Sequence, residues 1–551
     1  MNLVIVGGVA AGATAAAHAR RVNESAAITI LERGPYISYA NCGLPYFISG
    51  DIPERSDLLL QTPESFKRRF DVDVFVETEV VEIDRAGHRI RVRDRAGERW
   101  LPYDKLILAQ GAQPIMPPLS GVDLPFVFKL WTVTDMDRLA SFIDQSCPRH
   151  AVIVGGGYIG IEMAEALVKR GLETTIVEKL SRVMAIMDPE FSFLIARELR
   201  AQGVRILTGS GLRAISPDPR GVDLEDGRHL DADLVLVSVG VRPELDLARN
   251  AGLAIGASGG LAVDEYLATS DPDIFAAGDL IEVTELVSGK SVRIPLAGPA
   301  NRQGRLAAGN ALGQRRPYHG ALGTSVVKIF EATAGMTGLS ARSAREAGFD
   351  VGVATVHGED HAGYYPGAQE LTLSLIYDRR SGRLLGGQAF GRAGVDKRID
   401  VLVTALHAGL KLDDLAELDL AYAPPYSEAN DPINVAAFVG QNDIAAYSPL
   451  VDPASLGERL THRDGAVVLD VRTDEEFARG HLQGAIHVNL DELRGHMADL
   501  PRSAPVYAYC RSGHRSHVAV RLLRQEGFDA RNISGGAESL QAVAALPWVD
   551  E

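Results

Sequence analysis

Cysteine is scarce: the 551 residues contain three, Cys42, Cys147 and Cys510. Three thiols so far apart do not make a disulfide framework; they suit a reducing compartment, and the cytoplasm is the expected location. Aromatic residues are only 6% of the chain. No apolar run reaches the roughly 20 residues that a membrane-spanning helix needs, and Met1–Val9 reads as a strand entering a turn rather than a targeting signal. Cations are in deficit, 56 Lys and Arg against 72 Asp and Glu, for a formal net charge of -16. That balance argues against nucleic acid and anionic membranes as partners. No metal site is read from the residue pattern. What remains is ordinary globular composition, 46% hydrophobic and 23% charged, in a chain too long for one core; three or four domains are expected.

The apolar run Asn2–Val6 is followed by Gly7, Gly8 and Gly12, a helix over 13–21 and a strand Ala27–Leu31 that ends at Glu32, with Arg33 next. Strand, glycine turn, helix, strand and acid in this order form a dinucleotide fingerprint. The turn admits a pyrophosphate at a helix N-terminus, and Glu32 is placed to accept from a ribose hydroxyl. One departure stands out: Val9 occupies the usual place of the second glycine. A complete second fingerprint follows the strand Ala151–Val154, with Gly155, Gly157 and Gly160, a helix over 161–170, and a strand Thr174–Val177 ending at Glu178. An acid there favours the free 2′-hydroxyl of NADH over the 2′-phosphate of NADPH, although Lys179 and Arg182 loosen that preference. Further strands are expected at Lys105–Gln113 and Asp233–Gly240.

The segments GGVAAG, LILAQGA, GGGYIGIE, SVGVRPE and FAAGDL span Met1–Gly309, and with them the chain resembles the two-dinucleotide-binding flavoprotein disulfide reductases. The resemblance implies one FAD per subunit at the first site, with Ala109, Gly111, Asp279 and Ala300 joining the first glycine loop. It implies NADH (or NADPH) at the second, with Ile159 and Gly240. Cys42 stands in SYANCGLPY, where a turn or helix start would present the thiol and lower its pKa. Ile37 stands where the other thiol of a CxxxxC pair would be. The stretch therefore resembles the single-cysteine branch, the coenzyme A disulfide reductases and NADH oxidases, in which the thiol passes through a mixed disulfide or a sulfenic acid.

Coenzyme A carries several phosphates, so its site needs cations. By resemblance, Ser38 and Asn41 join two basic runs, Arg20 with Arg21 and Lys67 with Arg68 and Arg69. The same family places two tyrosines from a second subunit beside the thiol. They fall on Tyr364 and Tyr422, with Tyr365 and Tyr426 less favoured, and imply a homodimer. A phenol there can protonate a departing thiolate. Cys147 is read as chemically inert.

Residues 441–456 read as a linker. The strand Val467–Arg472, the segment Glu475–Leu490 and the loop CRSGHRS (Cys510–Ser516) resemble a rhodanese domain. The loop aims backbone N–H groups at one sulfur, and Arg515 is expected to stabilise the Cys510 thiolate. The expected fold is α/β: an FAD-binding domain (1–115 and 245–323), an NAD(P)H-binding domain (116–244), both Rossmann-like, an α+β dimerisation domain (324–440), the linker, and an α/β rhodanese domain (457–551), which the linker permits to swing as a sulfur carrier, with coenzyme A as the alternative shuttle. The implied function is NAD(P)H-dependent reduction of coenzyme A persulfide, polysulfide or coenzyme A disulfide through Cys42, with small thiol and persulfide molecules as substrates. A water-forming NADH oxidase and a flavin redox sensor or sulfur carrier remain open.

Overall fold

The structure is a computed structural model that describes residues 1–462, 466–542 and 547–550. Of the expected C-terminal domain, residues 463–465, 543–546 and 551 lie outside the described residues. The chain forms two compact units, Met1–Ser181 with Gly203–Gly323, and Arg182–Gln202 with Thr324–Glu551.

The first unit contains two five-stranded parallel sheets. One runs Ile274–Ala276, Lys105–Leu108, Asn2–Val6, Ala27–Leu31, Asp73–Phe75. Its central strands share one core with the helices Ala10–Val22 and Ala297–Ala311 and with the antiparallel strands Glu79–Asp84 and Arg89–Asp94; Leu3, Ile5, Ile30, Leu106 and Ile107 are fully buried. Helix Ala10–Val22 packs on helix Ala297–Ala311, and Thr14 Oγ1 donates to Asn301 Oδ1 across the contact at 2.9 Å. The approach is so close that a Cβ at Gly304 would lie 2.2 Å from the Ala11 carbonyl oxygen. Small residues are there for backbone proximity, not for apolar area. The second sheet runs Arg205–Thr208, Glu173–Glu178, His150–Val154, Leu234–Val237, Val127–Phe128. Both fingerprints therefore lie at the carboxyl end of a central strand, where parallel sheets bind ligands.

The second unit contains helix Pro189–Ala201, a five-stranded antiparallel sheet and a five-stranded parallel sheet. Helix Pro189–Ala201, expected within the nicotinamide module, packs on the antiparallel sheet. The antiparallel sheet includes strands Ser325–Ile329 and Glu370–Asp378, and helix Val395–Ala408 packs on it. The parallel sheet runs Leu450–Val451, Ala530–Ile533, Val506–Tyr509, Val467–Asp470, Ile486–His487.

Residues 441–456 are not a tether. They end helix Pro432–Ile444, supply the edge strand Leu450–Val451 and begin helix Pro453–His462. Asp443 accepts from Leu450 N (2.7 Å), Tyr377 OH (2.7 Å) and Arg379 Nε (2.8 Å), which pins the edge strand to the antiparallel layer. Thr355 N donates to Ser534 Oγ (3.0 Å) and Arg345 pairs with Asp452 (2.8 Å). A two-residue strand is too short to show a period, so the segment reads as linker. The expectation of a swinging rhodanese domain is corrected accordingly. Among the described residues no helix is long and apolar enough to cross a membrane.

Candidate functional site

The first glycine loop opens on a cleft of about 410 Å³, lined by Gly7, Gly8, Glu32, Arg33, Asn41, Ala109, Gly111, Asp279 and Ala300. Gly7 has φ +98° and a Cβ there would lie 2.4 Å from the Ala109 carbonyl oxygen; a Cβ at Gly12 would lie 1.8 Å from that of Gly7. Both glycines are obligatory. Val9 has φ -96°, outside the left-handed region that would call for glycine. Glu32 accepts from Gly8 N (2.8 Å) and Gly34 N (2.7 Å), bracing the loop, while Arg33 forms a bidentate pair with Glu244 at the cleft wall. Burial alone pushes the Asp279 carboxyl up to about 6. A desolvated carboxyl in the wall of a cleft is relieved by hydroxyl donors, which is what a ribityl chain presents. The residues present thus fit a flavin dinucleotide.

The second loop repeats the design. A Cβ at Gly155 (φ +110°) would lie 2.2 Å from the Ser238 carbonyl oxygen, and one at Gly160 would lie 2.0 Å from that of Gly155. Gly157 has open space, with nothing within 4 Å. Glu178 braces this loop as Glu32 braces the other, accepting from Gly156 N (2.7 Å) and Leu180 N (2.8 Å). Lys179 is engaged by Glu225 at 3.0 Å. Ile159 sits in the first turn of helix Tyr158–Lys169, and Gly240 has φ +109° after strand Leu234–Val237.

Cys42 lies in the single 3₁₀ turn Asn41–Gly43 that leads into helix Leu44–Ser49. The expected lowering of its pKa is corrected. Desolvation pushes the thiol up, and the charges of Glu162 and Asp279 push the same way. A six-residue helix has too small a dipole to offset them. Tyr46 OH donates to Glu162 Oε1 at 3.2 Å, and burial raises Glu162 to about 7. Ser38 is held at φ +45°, with its N donating to Gly8 O (2.8 Å) and its O accepting from Leu60 N (3.1 Å). Strain of this kind persists only where surrounding bonds impose it. Cys147 is exposed, at the left-handed end of helix Val133–Ser146.

The basic residues divide. Arg20 is 6% exposed, and its guanidinium donates to the carbonyls of Phe70, Asn23, Glu24 and Asp71. It is a structural strut, and its expected place among coenzyme A ligands is corrected. Arg21, one position on, is exposed. Lys67 pairs with Asp71 (2.7 Å) and Asp73 (2.9 Å), while Arg68 and Arg69 are exposed. Sequence reasoning missed His18. Its Nδ1 is buried without a hydrogen-bond partner, and burial followed by the charges of Arg305, Arg21 and Arg316 lowers its pKa. The only sequence signal was the spacing His18–Arg21, one helical turn; Arg305 and Arg316 arrive from remote parts of the chain.

In the second unit, Tyr364 OH and Tyr422 OH are 3.0 Å apart and share a hydrogen bond; the residues are 77% and 48% exposed. Their loops are joined by Ala362 N donating to Pro424 O at 3.3 Å. Cys510 is 1% exposed and ends strand Val506–Tyr509. Its Sγ accepts from Gly513 N (3.2 Å) and from Ser516 Oγ (3.5 Å). Arg515 interacts with the same sulfur and is gripped by Glu476 through two 2.6 Å hydrogen bonds. Arg511 pairs with Glu538 (2.6 Å) and Glu370 (2.9 Å).

The family profile described as pyridine nucleotide-disulphide oxidoreductase matches residues 1–304. The chain belongs to the pyridine nucleotide-disulphide oxidoreductase family. That family's dimerisation domain matches residues 324–432 and a rhodanese-like domain matches residues 452–542. Membership implies FAD and NAD(P)H as cofactors. A coenzyme A disulfide reductase of Staphylococcus haemolyticus is 34% identical over 440 residues, covering 79% of this chain and 98% of the relative. Two solved structures match nearly end to end. Reduced Bacillus anthracis CoADR-RHD is 40% identical with TM-score 0.95, covering 98% of each chain. An NAD-dependent persulfide reductase from A. fulgidus is 36% identical with TM-score 0.91, covering 98% of this chain and 100% of that one.

Proposed function

We propose that this family member is an FAD-dependent NAD(P)H oxidoreductase that reduces coenzyme A persulfide, polysulfide or coenzyme A disulfide through Cys42, while the rhodanese domain handles sulfane sulfur at Cys510. The observation that carries the reading is the combination on one chain of a lone thiol, Cys42, after a flavin-shaped cleft and a sulfur-binding loop around Cys510. Gly7, Gly8, Gly12, Glu32 and Asp279 would hold FAD, and Gly155, Gly157, Gly160 and Glu178 the nicotinamide dinucleotide. FAD supplies the two electrons of NAD(P)H that return a mixed disulfide to two thiolates.

The rest falls to the chain's own side chains. Cys42, as thiolate, attacks the coenzyme A sulfur of the persulfide. The S–S bond breaks, Cys42–S–S–CoA forms, and the outer sulfur leaves as hydrosulfide. Because its surroundings keep Cys42 protonated at rest, the thiol needs a base. Glu162, raised to about 7, can take and return that proton near neutral pH. Tyr364 and Tyr422 of a second copy supply the proton for a departing thiolate, which makes the active form a homodimer. Arg21, Arg305 and Arg316 around His18 serve the coenzyme A phosphates in place of Arg20, with Lys67, Arg68 and Arg69 as the other basic run and Ser38 and Asn41 beside the thiol.

Anaerobic titration with NADH followed by one oxidant at a time tests the reading. Bleached flavin should be reoxidised by coenzyme A persulfide or disulfide, and Cys42→Ser should keep its FAD while losing that turnover. Wild-type turnover in Cys42→Ser, or reoxidation by oxygen alone, would discard the proposal; the second outcome would favour the water-forming oxidase.

A further inference from the structure

The charge around Cys510 has a consequence for which sulfur donor the rhodanese domain accepts. Two arginines lie in the loop Cys510–Ser516, and a loop with two free guanidiniums would attract dianions such as thiosulfate. Neither is free. Arg515 is held by both oxygens of Glu476 at 2.6 Å, with side chains 33% and 24% exposed. Arg511 is shared between Glu538 at 2.6 Å and Glu370 at 2.9 Å. The two cations of the loop thus face three carboxylates. Arg472, whose guanidinium lies over the Tyr509 ring, is buried on Asp470 at 2.6 Å. Besides Arg515, whose charge Glu476 offsets, the donors to Cys510 Sγ are neutral, Gly513 N and Ser516 Oγ. Such donors stabilise a single thiolate or persulfide charge but add no field that reaches out to a dianion.

We propose that Glu476, with Glu370 and Glu538, is a specificity-determining acid of the rhodanese site: it cancels the loop's positive charge and so selects low-charge sulfane donors, alkyl persulfides, against thiosulfate. Glu476 acts through Arg515 rather than on the reacting atoms. The contribution of Glu370 is the smaller one, because its side chain is 78% exposed and solvent screens it. In the favoured reaction the Cys510 thiolate attacks the terminal sulfur of R–S–SH. The donor S–S bond breaks, a Cys510 Sγ–S bond forms, the terminal sulfur keeps its proton, and the electron pair leaves on RS⁻. No net oxidation occurs. With thiosulfate the same attack must expel sulfite, and three negative charges must gather in a site whose cations are already paired.

The inference rests on the reading of Cys510 as a sulfane acceptor, and the experiment separates the two. The full-length, flavin-loaded protein is treated with benzyl hydropersulfide or with thiosulfate, and the rate of sulfur addition to the Cys510 peptide is followed by mass spectrometry. Wild type should react with the persulfide and poorly with thiosulfate, and its thiosulfate rate should rise with salt as repulsion is screened. Glu476→Gln, which keeps the capping geometry with Thr473, should raise the thiosulfate-to-persulfide rate ratio about tenfold, the scale expected for one carboxylate acting on a dianion across a partly solvated site. Glu538→Gln should raise the ratio in the same direction by less. If neither donor labels Cys510, the acceptor reading fails. If both label it and neither variant moves the ratio, or the wild-type thiosulfate rate falls with salt, the selectivity proposal is overturned.

Discussion

Arg398→Met tests whether one buried cation supports both tyrosine loops. Arg398 and Asp431 lie 2.9 Å apart with each side chain 1% exposed. The guanidinium also donates to Asp360 O at 2.8 Å and Gly394 O at 3.2 Å. Asp360 roots the first loop, accepting from His361 Nδ1 (2.8 Å) and Gln369 N (2.7 Å). Asp431 roots the second, accepting from Ser427 Oγ (2.8 Å) and capping helix Pro432–Ile444 through Ile433 N (3.1 Å). Methionine fills much of the arginine's volume, so the cavity cost is small. What remains is a buried carboxylate whose other cation, Lys397, stands off at 3.9 Å, costing about 3–5 kcal/mol, and a stranded Asp360 carbonyl, costing about 1–2 kcal/mol. A loss of about 4–7 kcal/mol is expected, a large share of the roughly 5–15 kcal/mol available to a domain. Replacing both partners, Arg398→Met with Asp431→Leu, should recover about half of the loss and leave a deficit of about 2–3 kcal/mol for the missing helix cap and the still stranded Asp360 carbonyl. Urea unfolding, followed by tyrosine signals and separately by flavin release, measures this. Wild type should be most stable, the double variant next and the single variant least. A single variant that loses under about 1 kcal/mol, or a double variant weaker than the single, would refute the reasoning.

Tyr422→Phe removes one hydroxyl of an exposed pair, so stability should move by no more than about 0.5 kcal/mol while kcat falls about 10²-fold or more; an unchanged kcat excludes the phenol as acid. Glu178→Ala should narrow the NADH to NADPH ratio of kcat/KM, and because Glu178 also braces Gly156 N it should raise KM for both nucleotides; a wild type that prefers NADPH would contradict the assignment. Glu190 is pushed up to about 7, by burial first, against the opposing hydrogen bonds of Ser539 and Thr355. Its folded form binds the proton more tightly than the unfolded chain, so its effect is absent at low pH and stability is lost as pH rises from about 4.5 to above 7. Glu190→Gln should match wild type near pH 5 and exceed it near pH 8, by on the order of 3 kcal/mol; denaturation curves at the two pH values decide, and equal curves at pH 8 would sink the argument.

Local rules carried much of this protein. Two glycine turns, each between an apolar strand and a helix and each followed by an acid, need only residues within one βαβ unit, so both nucleotide folds and the rhodanese loop are legible without a structure. Even there, the role of Glu32 and Glu178 in bracing their own loops appears only in the hydrogen bonds. Everything that depended on facing or on distant neighbours required the tertiary structure. Arg20 and Arg21 are adjacent letters, but successive helical residues point about 100° apart, and packing turned one inward as a strut and left the other to solvent. Cys42 looked activated by its turn, yet burial, and then Glu162 and Asp279 brought from two other segments, push its pKa the other way. Residues 441–456 looked like a tether because a two-residue edge strand has no periodicity to betray it. The pairing of Arg515 with Glu476 joins positions 39 residues apart. Burial, charge pairing and edge-strand docking are sums over neighbours in space, and a linear pattern encodes only neighbours in sequence.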